Sequence, residues 1–132
     1  MIASRWKVQE VADVEGLITA TGEICAVQGP DRQTKEVNPE IRGWLNVAVL
    51  AQQELCSGGF IVKCGEVLEN GSFGVVVLES AQQGELVWSF VSQESNPFDK
   101  IEVQGNVVLV LSTSGSVFRF TPPAKGVELW IA

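Results

Sequence analysis

The stretch Asn96-Pro97-Phe98-Asp99-Lys100-Ile101-Glu102-Val103-Gln104-Gly105-Asn106-Val107-Val108-Leu109-Val110-Leu111-Ser112-Thr113-Ser114-Gly115-Ser116-Val117-Phe118-Arg119-Phe120 reads as three short strands joined by two reversals. Gly105-Asn106 supplies the first turn and Ser112-Thr113-Ser114-Gly115 the second, because glycine and asparagine tolerate the positive φ that tight hairpins need. Pro97 ahead and Pro122-Pro123 behind limit further pairing, since proline donates no ladder hydrogen bond. Lys100 to Gln104 alternates, which directs Ile101 and Val103 inward and Lys100, Glu102 and Gln104 outward. Val107 to Leu111 is apolar at every position, as is Val75 to Leu78, and such strands need cover on both faces.

The same grammar extends outward from the meander. In Glu85 to Ser92 the alternation places Leu86, Trp88 and Phe90 on one face and Val87, Ser89 and Val91 on the other. Phe60 to Leu68 and Ser72 to Glu79 flank a hairpin turn at Glu69-Asn70-Gly71, and Glu15 to Ala20 and Glu23 to Gln28 flank Thr21-Gly22. Trp6 and Val8 alternate with Lys7 and Gln9 as a first strand, and Val127 to Ile131 forms the last. Gly29 to Val37 is polar and reads as the longest loop. Asn38-Pro39-Glu40 has the chemistry of a helix start, with a capping side chain, a proline in the first turn and a carboxylate near the positive end of the dipole. Ile41, Trp44, Leu45, Ala48 and Leu55 then fall on one helical face, and Ser57-Gly58-Gly59 supplies a stop. Gly43 and the run Asn46-Val47-Ala48-Val49 pull the other way, toward strand. The spacing predicts one helix over about residues 38–55. One helix cannot cover a sheet twice, so the second layer is expected to be more sheet. The fold class expected is α+β and strand-rich: a curled antiparallel sheet, a sandwich or partly open barrel, with that one helix, as a single domain over residues 1–132.

Composition fits this reading. The 132 residues are 45% hydrophobic and 19% charged, which suits a packed domain and not a disordered chain. No apolar run exceeds Val107 to Leu111, so a spanning helix of about 20 residues is not expected. The first seven residues, Met1 to Lys7, carry no apolar leader core, and the expected location is cytoplasmic. Three cysteines, Cys25, Cys56 and Cys64, lack CxxC spacing and read as reduced thiols, with a Cys56–Cys64 hairpin disulfide as the alternative. The net charge is −7, and nine basic residues among sixteen acids do not supply the cluster that phosphates need, so nucleic acid is not expected as a partner. From Glu66 to Glu102 the chain carries seven acids (Glu66, Glu69, Glu79, Glu85, Glu94, Asp99 and Glu102) and one base, Lys100. Such an excess keeps a protein soluble, and it also creates a field that steers a basic partner.

The chain has no histidine and no tyrosine, which removes Ser-His-Asp and Cys-His arrangements, histidine-ligated metal and a histidine base. No cysteine cluster or spaced Asp/Asn loop offers a metal site, and no cofactor is expected. Glu79 with Glu85 and Glu94 with Asp99 are the carboxylate pairs available for acid–base work, and Cys56-Ser57-Gly58-Gly59 places a nucleophile beside flexible amides but without a base. Solvated hairpin ends and a C-terminal cap explain these features more simply. Asn70-Gly71-Ser72 matches a glycosylation sequon and doubles as a turn. The four tryptophans, Trp6, Trp44, Trp88 and Trp130, read first as core anchors and second as the lining of a pocket or contact patch.

Two patterns in the opening stretch carry a resemblance. Asn96-Pro97-Phe98-Asp99 leads into a meander that ends in an SxSGxVxxF pattern, Ser112 to Phe120, and this resembles the C-terminal ends of small bacterial proteins of the immunity-protein and mobile (integron) gene-cassette type. The resemblance covers about a fifth of the chain, and most of its motif is turn grammar. It implies a small non-catalytic binding protein, an acidic inhibitor or immunity-type partner of a basic protein. The binding residues expected on this reading are Glu79, Glu85, Glu94 and Asp99, with Val87 and Trp88 at the centre of the contact. A small-molecule carrier with a tryptophan-lined pocket is the competing reading, and an enzyme using carboxylates alone is a third.

Overall fold

Alternation becomes pairing almost everywhere it was legible. The computed structural model describes residues 2–25, 27–28, 34–35, 41–55, 58–122 and 127–131. One sheet runs in the order β1 (Glu10–Ala12), β6 (Trp44–Glu54), β7 (Phe60–Val67), β8 (Asn70–Ser80), β9 (Leu86–Ser92), β2 (Gly16–Thr19), β3 (Ile24–Cys25). The other runs β10 (Phe98–Gln104), β11 (Val107–Ser112), β12 (Val117–Phe120), β13 (Val127–Ile131), β4 (Val27–Gln28), β5 (Thr34–Lys35). The pairings are antiparallel except β13 with β4, which is parallel. The sheets share a corner, because Cys25 ends β3 and Val27 opens β4, so the chain switches layers across one residue. Each sheet keeps two ends, so neither closes into a barrel. The result is the strand-rich α+β sandwich expected from the sequence. Among the described residues, no helix is long and apolar enough to cross a membrane.

Between the sheets lies the main core, built from Val62, Cys64, Val76, Leu78, Trp88 and Phe90 on one side and Phe98, Val108, Val110, Phe118 and Phe120 on the other. A second core covers the outer face of the first sheet, where α1 (Ile2–Trp6) seats Trp6 on Leu45, Val47, Val75, Val77, Leu86 and Val91. This is why β8 reads as continuously apolar: Val75 to Leu78 is buried on both faces. In β11, Val108 and Val110 are buried between the sheets, whereas Val107, Leu109 and Leu111 are only half-buried, so its cover is full on one face alone. Val108→Ala is expected to lower stability by about 1–3 kcal/mol through the cavity it leaves. The check is a denaturant melt, and an unchanged midpoint would mean that β11 can collapse around the loss.

Two expectations are corrected. The expected first strand at Trp6 and Val8 is instead α1, with Val8 exposed just beyond it. The helix expected over about 38–55 is absent where the structure describes that segment: Trp44 to Glu54 is β6, and residues 38–40 lie outside the described residues. The reason is a bulge. The β6–β7 register steps from Val49 opposite Gly65 to Ala51 opposite Cys64, leaving Leu50 over. Before it, Leu45, Val47 and Val49 face the α1 side; after it, Ala51 and Leu55 face the inter-sheet core. One inserted residue turns two strand stripes into a pattern that reads as helical. Gly65 makes the bulge possible, since a Cβ there would collide with the Ala48 carbonyl. Gly58 and Gly59, at φ 73° and 81°, end a strand and not a helix.

β9 repeats the device. Its register steps from Trp88 opposite Leu78 to Leu86 opposite Glu79, so Val87 is the extra residue. Leu86 therefore joins Val91 in the outer core, while Trp88 and Phe90 point between the sheets. Ser89 and Val91, expected on an exposed face, are covered. The hairpin before it turns at Leu68-Glu69, with Asn70 already paired to Val67, one step earlier than Asn70-Gly71 suggested. Glu69 clips this turn by accepting from the Asn46 backbone N–H at 2.9 Å and from its side-chain amide at 2.8 Å. The expected loop Gly29 to Val37 lies outside the described residues except Thr34–Lys35, which pairs as β5.

Candidate functional site

The six residues that the sequence grouped as one contact do not share a surface. Glu79 sits on the outer face of β8 beneath α1, 6% exposed. Its Oε1 accepts from Lys63 Nζ at 2.8 Å and its Oε2 from the Trp6 indole N–H at 2.6 Å. Trp88 is 0% exposed and stacks on Phe120 with centroids 5.3 Å apart. Neither reaches a partner in the folded protein, which corrects their assignment to a contact surface. Val87 is half-buried against the inter-sheet core. Glu85 is exposed at one end of β9 and Glu94 just past its other end, with the roughly 20 Å length of the strand between them. Glu79 and Glu85 thus form no acid–base pair, because one is enclosed by its own partners and the other stands in solvent.

Glu94 and Asp99 flank the passage from β9 to β10, and Glu66 lies on the strand beneath it. Gly74 lies directly opposite Glu66 in the β7–β8 register. A Cβ on Gly74 would stand 2.5 Å from the Asn96 carbonyl, 2.7 Å from Ser95 Oγ and 2.8 Å from the Phe98 ring. The missing side chain is what lets residues 95–98 lie across β8 beside Glu66. Asp99 follows directly and lies close enough to Cys64, two residues from Glu66, to act on its thiol electrostatically. Glu94 begins the same crossover. Glu66 is half-buried, and Glu94 and Asp99 are exposed.

Both sheets pin this crossover. The Gln93 N–H donates to Glu15 Oε2 at 2.7 Å, and Asn96 N–H to the Ser72 carbonyl at 2.9 Å. Ser114 Oγ donates to the Ser95 carbonyl at 2.7 Å, and Thr113 N–H to that of Pro97 at 2.9 Å. Asn96 takes φ 65°, a left-handed turn that aims the chain from one sheet to the other. Carboxylates held by such a frame are presented at low entropic cost, and as acceptor-only groups they suit Lys and Arg. Among the described residues, no group of three or more His, Cys, Asp or Glu could hold a metal ion. Of this site, the sequence reading named Glu94 and Asp99 as binding residues and Glu66 only as the first acid of the run. Nothing local marks Glu66, because its place depends on a glycine in the next strand.

Cys64 lies beneath the site as a free thiol, and Cys56 is outside the described residues. Burial pushes the Cys64 thiol up to about 12, the Asp99 carboxylate adds to the shift, and a backbone hydrogen bond with Ala51 opposes it. It is expected to stay unlabelled by iodoacetamide at neutral pH until the protein unfolds, while half-buried Cys25 labels first. Peptide mapping after a timed pulse reads this, and equal native labelling of both would contradict it.

Three of the four tryptophans are placed by the described side chains. Trp6 and Trp88 are enclosed, and half-buried Trp44 carries the Arg5 guanidinium 4.7 Å above its ring. An open depression of about 420 Å³ is lined by Ala3, Ser4, Lys7, Ala20, Glu85 and Leu86. Another, of about 370 Å³, lies on the outer face of the second sheet between Gln104, Val107, Leu109 and Arg119. None of Trp6, Trp44 and Trp88 lines either, and the side chain of Trp130 lies outside the described residues. Compared with protein-family models, curated proteins and solved structures, the chain gives no match.

Proposed function

We propose that the chain is a small non-catalytic binding protein, an acidic inhibitor or immunity-type partner that engages a basic protein at the crossover formed by Glu66, Glu94 and Asp99. The observation that carries this reading is a crossover hydrogen-bonded to both sheets, flanked by Glu94 and Asp99 and lying over the strand pair that holds Glu66. The resemblance of residues 96–120 to immunity-type and cassette proteins points the same way, as does the net charge of −7. The carboxylates act mainly on association rate, because their field steers encounter before contact.

The test compares the parent with a Glu94→Lys/Asp99→Lys variant as immobilised baits for a basic-protein fraction at low and high salt. A single basic protein held by the parent at low salt and lost by the variant supports the proposal. For that protein, the association rate with the parent falls as salt rises, and the variant shows little such slope. Equal capture by both baits, or a rate that ignores salt, overturns it.

A further inference from the structure

Three of the four sheet ends are short: β1 has three residues, and β3 and β5 have two each. Short edges give a second chain little to pair with, although beyond β1 the same side of β6 from Ala48 to Glu54 also has no described strand paired to it. The fourth, β10, has seven residues, and among those described no strand is hydrogen-bonded along its outer side. β6 and β7 approach it from the first sheet without pairing with it. Lys100, Glu102 and Gln104 are exposed along it, while Ile101 and Val103 are half-buried against the inter-sheet core. In the register with β11, Lys100 is opposite Leu111 and Glu102 opposite Leu109, so the two charges flank an apolar stripe of half-buried residues.

The order of these charges selects an occupant. A strand guarded against its own copy carries like charges on either side of its midpoint, so that antiparallel pairing brings like to like. β10 carries Lys100 and Glu102 on either side of Ile101. A two-fold axis at Ile101 places Lys100 of each chain opposite Glu102 of the other, twice, and Ile101 opposite Ile101. Such an isologous contact needs nothing beyond the strand itself. We infer that β10 is a self-pairing edge, through which two copies of this chain join their second sheets into one continuous antiparallel sheet. The contact is a narrow one, so the dimer is weak and concentration-dependent. It goes beyond the binding role proposed above, and it leaves each copy with its own crossover.

Sedimentation velocity over a concentration series tests this with four variants. The parent is expected to pass from the mass of one 14.2 kDa chain to twice that mass as concentration rises. Lys100→Glu and Glu102→Lys each turn two attractive pairs into repulsive ones and are expected to weaken dimerisation about tenfold or more. An equimolar mixture of the two single variants restores it, because a chain with acids at both positions then meets one with bases at both. The double variant Lys100→Glu/Glu102→Lys restores it alone, since exchanging the two charges keeps every facing pair opposite in sign. These recoveries also separate lost pairing from lost folding. Glu94→Lys, which alters the crossover, leaves the dimer intact. A parent that stays monomeric throughout, single variants that dimerise like the parent, or a mixture no better than its components would each overturn the inference.

Discussion

Glu79→Ala is expected to destabilise the protein by about 3 kcal/mol, the lower end of the range of roughly 3–5 for breaking a buried ion pair. Glu79 is enclosed by α1, and its two oxygens serve different elements, Lys63 on β7 and Trp6 on the helix. Removing it strands an ammonium whose side chain is only 20% exposed and an indole N–H with no other partner nearby. The residual exposure of Lys63 lets some water reach the charge, which sets the estimate low. Lys63→Met/Glu79→Met removes both charges together and is expected to recover most of the loss, because neither is then left unpaired. Denaturant midpoints of the two single variants and the double close the cycle. A Glu79→Ala midpoint equal to the parent's would show that α1 contributes nothing through this contact.

Trp88→Ala is expected to cost about 3–5 kcal/mol, and Trp88→Phe much less. Trp88 fills the space between the sheets, stacked on Phe120, and a methyl in its place leaves a cavity lined by aromatic rings. Among the described residues its buried indole N–H has no hydrogen-bond partner, so the folded state bears the cost of burying that donor. Phenylalanine keeps most of the stacking surface and removes the donor, so two effects of opposite sign nearly cancel. Thermal melts of both variants measure the difference. Equal losses for Phe and Ala would locate the contribution of Trp88 in its indole edge and not in the stack.

The part of the fold visible in the sequence is the part where bulges do not interrupt the strand between its turns. In the meander the turns fall at Gly105-Asn106 and at 113–116, with Gly105 at φ 62° and Gly115 at 94°, and Lys100 to Gln104, Val107 to Leu111 and Val117 to Phe120 pair through the turns in regular register, the bulge at Asp99 lying before them. β6 and β9 each carry one extra residue, Leu50 and Val87, and there the spacing misleads: it suggested a helix in one case and put Leu86 on the wrong face in the other. A bulge leaves no mark on the bulged strand itself. Its trace is a glycine in the neighbour, Gly65, whose meaning appears only once the two are paired. The site divides in the same way. Glu94 and Asp99 stand beside a turn that the sequence announces. The burial of Glu79 depends on Trp6, 73 residues away, and the place of Glu66 depends on Gly74.

The parallel pairing of β13 with β4 bears on how the chain folds. Hairpin neighbours such as β7 and β8, or β10 and β11, meet across a few residues and close quickly. β13 instead slots between β12 and β4, setting Val127 against Val27 across about one hundred residues of chain. On a ribosome, β4 emerges about one hundred residues before the neighbour it pairs with. Until then the second sheet is two fragments, β10–β12 and β4–β5, each showing an unpaired edge at the seam. Closing that seam completes the layer, and its long sequence separation makes it the slowest kind of pairing in the molecule. The nascent second sheet therefore stays open to aggregation at this seam until β13 is made.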